Sequence, residues 1–138
     1  MQINPYLNFS GQCEEAMEFY AKALGGTIEA MMRHAGSPME AHTPPEWREK
    51  IMHARLRVGD STIMASDVPP EQFRPLQGFS VTIGTHDVAE AERVWAALAD
   101  NAQMITMTLQ QTFWATRFGM LTDRFGTAWM INCEPAPA

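Results

Sequence analysis

The stretch IMHARLRVGDSTIMASD, residues 51–67, holds the pattern that decides the fold. Between residues 52 and 58 two sets alternate, one apolar (Met52, Ala54, Leu56, Val58) and one basic (His53, Arg55, Arg57). Strict alternation is typical of a half-buried β-strand, because successive side chains point to opposite faces of a sheet. Gly59-Asp60 then predicts a tight turn, and residues 62–66 predict a second strand. The basic row either lines a site or is solvated.

The elements on either side repeat one order. Strands are predicted at 3–9, 27–34, 79–85, 104–109, 117–122 and 127–133, and helices at 13–24 and 87–100. Gly25 and Gly26 end the first helix, while Asp87 and Glu90 form a capping box at the start of the second. EAMEFYA in the first helix and EAERVWA in the second align without a gap. Such self-similarity favours two copies of one β-α-β-β-β unit.

A proline-rich stretch separates the two copies. Residues 68–77 contain Pro69, Pro70 and Pro75 and little apolar periodicity, which predicts a linker. We therefore expect a single domain, residues 1–138, of two modules at about 1–67 and 78–134. Its fold class would be α+β, with a helix on one face of each sheet and the other face free to curve around a cavity. A ferredoxin-like tandem would give a similar order of elements.

Composition excludes several classes of function. The chain has 138 residues, 46% of them hydrophobic, and a net charge of −6, so a core is available but a nucleic-acid-binding surface is not. The sequence has neither a signal-peptide pattern nor an apolar run long enough to cross a membrane. Cys13 and Cys133 form no CxxC motif, which predicts reduced thiols in a cytoplasmic protein. Phosphate loops and dinucleotide glycine motifs are absent, so we expect no nucleotide cofactor.

Three blocks of this sequence resemble a known family. They are PYLNFSGQCEEAMEFYAKALGG at 5–26, PPEWREKIMHARLRVGDSTIMASD at 44–67 and FGMLTDRFGTAWMINCE at 118–134. The blocks are similar to the PhnB-like subfamily of the glyoxalase/bleomycin-resistance/dioxygenase superfamily, whose fold is also called the vicinal oxygen chelate fold. The resemblance runs from residue 3 to residue 134. It implies two paired βαβββ modules whose mixed sheet curls into a cup with the helices on the outer face, and it implies a homodimer.

In metal-dependent members of that superfamily, four inward-facing ligands hold a divalent ion. The corresponding positions in this chain fall at Pro5 or Tyr6, at His53, near Ser80 and at Met130. Only His53 is a good ligand, because a methionine thioether and a serine hydroxyl suit a hard divalent ion poorly. We therefore expect neither a bound catalytic metal nor another cofactor, and keep a divalent metal ion only as an alternative.

The alternating rows predict the lining of the cup. If the row of His53 faces the cup, Arg55 faces it too, and its guanidinium could hold a phosphate, phosphonate or carboxylate. The alternative is that the arginines, Arg57 above all, are solvated or paired with acidic neighbours at the sheet rim. The other expected ligand-binding residues are Tyr6, Asn8, Ser80, Thr82, Met130 and Asn132. A β-bulge would shift a row by one residue and reverse its face.

Two tryptophans lie in predicted loops. Trp47 follows a pair of prolines, and Trp114 follows Phe113. Exposed aromatic rings either stack on a ligand or seal a dimer interface. We expect the interface for both, and also keep Trp114 among the ligand-binding candidates.

Three functions remain open. The first is a metal-free protein that binds a small organic molecule, anionic if the arginines face it. The second is a metal-dependent lyase, isomerase or dioxygenase. The third is metal-free acid–base catalysis, with His53 as the base and Arg55 as an electrostatic stabiliser. We expect the first function, and the sequence assigns no catalytic residue.

Overall fold

The chain folds into eight strands and two α-helices in the order β-α-β-β-β, repeated once. The structure is a computed structural model that describes residues 1–138. Its elements are β1 (Tyr6–Phe9), α1 (Cys13–Leu24), β2 (Thr27–Arg33), β3 (Ile51–Val58), β4 (Ser61–Asp67), β5 (Val81–Thr85), α2 (Val88–Ala99), β6 (Met104–Gln110), β7 (Arg117–Thr122) and β8 (Ala128–Cys133). The predicted α+β fold of two βαβββ modules is therefore confirmed. The chain divides into two compact units, Met1–Arg74 and Pro75–Ala138.

Unit 1, Met1–Arg74, is a mixed sheet covered on one face by α1. The strand order is β1-β4-β3-β2, with β1 parallel to β4 and the other pairs antiparallel. α1 packs on β2, β3 and β4. The helix and the strands beneath it bury one continuous core that includes Leu7, Phe9, Ala16, Met17, Tyr20, Ala54 and Leu56. The opposite face of the sheet, here called the helix-free face, carries the alternate side chains.

Two irregularities in the pairing of β2 with β3 decide which side chains reach which face. Ile28 pairs with Leu56 and Ala30 pairs with Arg55, so Glu29 is an extra residue in β2. This β-bulge places Ala30 opposite Arg55, and the Glu29 carboxylate lies in the same row, 3.1 Å from Nε of Arg55.

The second irregularity reverses the row at the start of β3. Met32 pairs with His53 whereas Arg33 pairs with Ile51, which leaves Met52 as the extra residue. Ile51 is consequently 1% exposed, while Met52 is only half-buried. The alternation at residues 52–58 would place Ile51 in the basic row, and the extra residue puts it in the core instead.

A buried carboxylate fixes the start of α1 to the sheet. Asp67, 3% exposed, accepts hydrogen bonds from the backbone N–H groups of Gly11 (2.7 Å), Cys13 (3.0 Å) and Ile51 (3.0 Å). Three donors compensate for the loss of water around the carboxylate. At the other end, α1 stops at Gly25, whose φ of 70° is the left-handed conformation of a helix C-cap.

Unit 2, Pro75–Ala138, repeats this arrangement. Its strand order is β5-β8-β7-β6, with β5 parallel to β8 and the other pairs antiparallel. α2 packs on all four strands, above a core that includes Leu98, Leu121, Trp129 and Ile131. Asp123 is fully buried and accepts hydrogen bonds from the Thr127 backbone N–H and the Trp129 indole N–H.

The start of α2 matches half of the predicted capping box. Asp87 accepts hydrogen bonds from the backbone N–H groups of Ala89 (3.0 Å) and Glu90 (3.3 Å), as expected of an N-cap. Glu90, however, does not accept from the Asp87 N–H. The Thr85 hydroxyl accepts from that group at 3.1 Å and donates to the Glu90 carboxylate at 2.8 Å, so it links the two.

The structure corrects one further position. Phe79, which the sequence predicts to begin the strand at 79–85, lies ahead of β5 and is 55% exposed. Separately, neither α-helix has the length and apolar character needed to span a membrane.

Candidate functional site

A tyrosine–histidine pair occupies the helix-free face of unit 1. The Tyr6 hydroxyl lies 3.1 Å from Nδ1 of His53, and the two rings stack with centroids 5.8 Å apart. Tyr6 is 44% exposed and His53 is half-buried. Asn8, also exposed, follows Tyr6 on the same face of β1. These residues belong to strands on either side of β4, so sheet pairing holds them in place.

A second polar group lies on the same face. Nε of Arg55 is 3.1 Å from one oxygen of Glu29, and Nε of Arg57 is 2.8 Å from the other. The hydrogen bond from Arg57, reinforced by the one from Arg55, holds the pKa of the Glu29 carboxyl below its usual range. Both arginines are thus paired with an acidic neighbour. Their side chains remain 37% and 56% exposed.

The helix-free face of unit 2 contains a row of methionines. Met130 pairs with Thr82 on one side and with Met120 on the other, and Met120 pairs with Met107. All three methionines are half-buried and Thr82 is exposed. The sequence predicts Thr82 and Met130 here. Met107 and Met120 are missed because β6 and β7 show no clear alternation, and register alone places them in this row.

The neighbouring row of unit 2 combines an amide with aromatic rings. Asn132 lies opposite Gly84 on one side and Phe118 on the other. Its amide nitrogen donates to Glu134 at 2.7 Å, whereas its carbonyl oxygen is buried without a hydrogen-bond partner. The ring of Trp114 contacts that of Phe118, with centroids 5.2 Å apart.

Three further residues that the sequence singles out, Ser80, Trp114 and Trp47, lie outside the strands. Ser80 is half-buried and immediately precedes β5. Trp114 is 43% exposed and Phe113 beside it is 97% exposed, in the loop between β6 and β7. Trp47 is not an exposed ring: it is half-buried near Gly11, and its indole N–H is buried without a partner.

The residues at the family's metal positions do not fit a divalent ion. Nδ1 of His53 already contacts the Tyr6 hydroxyl, and Ser80 and Met130 supply only a hydroxyl and a thioether. No group of three or more His, Cys, Asp or Glu side chains is arranged to hold a metal ion. The donor set therefore offers one conventional ligand, His53.

Comparison with known proteins identifies relatives along nearly the whole chain. The family model described as 3-demethylubiquinone-9 3-methyltransferase matches residues 1–132. Protein YjdN of Escherichia coli (strain K12) is 35% identical over 140 residues, which cover 96% of this chain and 95% of YjdN. The crystal structure of protein PA1353 from Pseudomonas aeruginosa is 48% identical and superposes with a TM-score of 0.89, covering 99% of each chain.

More distant structures share the fold. A putative 3-demethylubiquinone-9 3-methyltransferase, PhnB protein, from Bacillus cereus is 24% identical with a TM-score of 0.81, covering 96% of this chain and 99% of that one. A glyoxylase/bleomycin resistance protein/dioxygenase domain from Frankia sp. EAN1pec is 11% identical with a TM-score of 0.65, covering 97% of both chains. This chain belongs to the PhnB-like family described as 3-demethylubiquinone-9 3-methyltransferase, with the fold of the glyoxalase/bleomycin-resistance/dioxygenase superfamily.

Proposed function

We propose that this protein binds a small organic molecule, without a catalytic metal, through the helix-free face of unit 1. The observation that carries the proposal is the Tyr6–His53 pair, which shares one partly exposed face with Arg55. A few convergent polar groups beside aromatic surface are typical of a ligand site. Asn8 adds an amide to the same face. A negatively charged group on the ligand would be attracted by Arg55.

Unit 2 has, on its own helix-free face, a second surface of the kind that binds an apolar group. Unbranched thioether side chains adapt to irregular shapes, and Met130 belongs to a row of them. Trp114 offers a ring for stacking, while Thr82, Ser80 and Asn132 offer hydrogen-bonding groups. The family description names a methyltransferase, but no cofactor-binding motif in this sequence supports methyl transfer.

A fragment screen tests the proposal directly. Binding would be followed by ligand-observed NMR, together with the imidazole signals of His53. We expect fragments that perturb these signals and whose affinity falls by about tenfold in His53→Ala, since a lost hydrogen bond and ring contact are together worth about 1.4 kcal/mol. His42→Ala is the matched control, because His42 is an exposed histidine of the same unit. Fragments that bind both variants equally would contradict the proposal.

The same pair supports a second candidate, metal-free acid–base catalysis. If the Tyr6 hydroxyl donates to Nδ1 of His53, Nε2 carries the proton and can act as an acid. If Nδ1 donates to the Tyr6 oxygen instead, Nε2 is free to act as a base. Incubating each fragment that binds and following its turnover by NMR tests this function. Turnover that survives in Tyr6→Phe but not in His53→Ala would assign the chemistry to the histidine.

We also infer self-association in a reducing compartment. Phe113 and Trp114 present aromatic surface in one loop, and such surface is typical of protein interfaces. Cys13 and Cys133 are buried and unpaired, which supports a cytoplasmic setting. The partners we propose are therefore a second copy of the chain and a small-molecule ligand. Nucleic acid and membrane are not among them.

A further inference from the structure

We propose that Arg55 and Arg57 form a clamp for a tetrahedral oxyanion and that Glu29 is the positioning residue of this clamp. The inference rests on the proposed function, because it names the charged group of the ligand that the helix-free face of unit 1 would bind. The ligand would accordingly carry a phosphoryl or sulfonyl group, either as an inorganic ion or attached to an organic body.

The pattern of hydrogen bonds in the triad leaves binding groups available. Both guanidinium groups contact Glu29 through Nε alone, at 3.1 Å for Arg55 and 2.8 Å for Arg57. The Nη1 and Nη2 groups of both arginines have no hydrogen-bond partner in the protein. Since the two residues are two positions apart on β3, their side chains leave the sheet on the same face.

Glu29 contacts both arginines from the bulge in β2. Ile28 and Ala30 pair with consecutive residues of β3, so Glu29 is the residue inserted between them. A long arginine side chain loses rotamer freedom when it binds an anion. A carboxylate that already holds both Nε groups removes part of that freedom beforehand, which is why we assign Glu29 a positioning role.

Charge and geometry favour a tetrahedral oxyanion over a carboxylate. Two guanidinium groups and one carboxylate leave the triad with a net positive charge. One planar carboxylate is matched by the fork of one guanidinium. A phosphoryl or sulfonyl group has three terminal oxygens that diverge from one plane, so it can accept hydrogen bonds from the Nη groups of both arginines.

The first test compares four probes that differ in charge and in shape: benzyl alcohol, benzoate, phenyl phosphate and inorganic phosphate. Titrations are followed by the ¹H–¹⁵N signals of the arginine Nε groups. We expect phenyl phosphate to bind about tenfold tighter than benzoate, and Arg55→Gln or Arg57→Gln each to weaken phenyl phosphate by about tenfold or more. Benzyl alcohol should be unaffected by either substitution. Arg93→Gln is the matched control, because Arg93 is an exposed arginine on α2.

The second test asks whether Glu29→Gln strengthens or weakens the binding of phenyl phosphate. Charge alone predicts tighter phenyl phosphate binding, because a nearby negative charge is removed. Positioning predicts binding at least about twofold weaker, since the amide no longer accepts from both Nε groups. Glu71→Gln, which removes an exposed carboxylate of the same unit, controls for the change in net charge. Tighter binding by Glu29→Gln would overturn the positioning role.

The probes separate failure of the clamp from failure of the proposed function. If benzyl alcohol perturbs His53 while phosphate compounds gain nothing from the arginines, the clamp is wrong and the binding function stands. If phosphate perturbs both arginines but no organic probe reaches His53, the binding function is wrong and the clamp stands. Equal affinity for inorganic phosphate and phenyl phosphate would identify the free ion as the ligand, whereas preference for phenyl phosphate would identify an ester.

Discussion

The protonation of Glu29 is set by its two arginine neighbours. The hydrogen bond from Arg57 lowers the pKa of Glu29 most, and that from Arg55 adds to it. Because this pKa is lower in the folded than in the unfolded chain, the Glu29 carboxylate stabilises the fold at pH values above its unfolded pKa. That contribution is lost as the pH falls through its folded pKa. We expect a ¹³C titration of the Glu29 carboxyl to have its midpoint below the ordinary glutamate value.

The two arginines provide the control for that titration. Arg57→Gln should raise the Glu29 midpoint more than Arg55→Gln does, because the Arg57 contact is the shorter, at 2.8 Å against 3.1 Å. An ordinary midpoint in the unsubstituted protein would mean that the ion pairs are not formed in solution.

The cysteine thiols should be inert in the folded protein. Burial raises the pKa of Cys13, and the charges of Asp67 and Glu14 raise it further. Burial also raises the pKa of Cys133. Because the thiolate is the reactive form, we expect a thiol-reactive disulfide reagent at pH 8 to label neither residue natively and both in concentrated urea. Rapid labelling of the native protein would show that one of these cores opens readily.

Among the secondary-structure elements, α1 and the core rows of the strands could be predicted from sequence. The apolar spacing of α1 and the alternation in β3 each reflect burial against one partner, so the pattern reports the structure. The bulge at Glu29 could not be predicted, because an extra residue in β2 changes pairing and leaves no mark in composition. Sequence alone does not name the acidic partner of Arg55 and Arg57, and the second bulge moves Ile51 into the core.

Two glycines in the sheet of unit 2 test the packing of α2. A Cβ at Gly119 would lie 2.6 Å from Cζ3 of Trp95, whereas a Cβ at Gly84 would meet no atom within 4 Å. Overpacking of a core costs about 1–3 kcal/mol. We expect Gly119→Ala to lower the free energy of unfolding by about that amount in urea titrations, and Gly84→Ala to change it by less than about 0.5 kcal/mol. Equal effects would show that the Trp95 ring moves aside freely.

At the scale of the whole molecule, the candidate site depends on which residues share a face. Alternation and the family resemblance together predict Tyr6, Asn8, His53 and Arg55 on one face of unit 1, and the structure places all four there. Glu29, Met107 and Met120 join these faces only through strand register, which is fixed by pairing across the sheet. Sequence alone therefore identifies much of the surface but not the contacts that decide its charge.

The aromatic loop between β6 and β7 provides the test of self-association. Phe113 is 97% exposed and lies beside Trp114, so burying this pair would remove a large apolar area from water. We expect sedimentation velocity to show a dimer whose dissociation constant rises at least about tenfold in Phe113→Ser, since losing a buried aromatic at an interface costs more than about 1.4 kcal/mol. Phe79→Ser is the control, because Phe79 is an exposed phenylalanine of the same unit outside this loop. A monomer at every concentration, or a dimer that Phe113→Ser leaves unchanged, would instead favour the ligand-stacking role of Trp114.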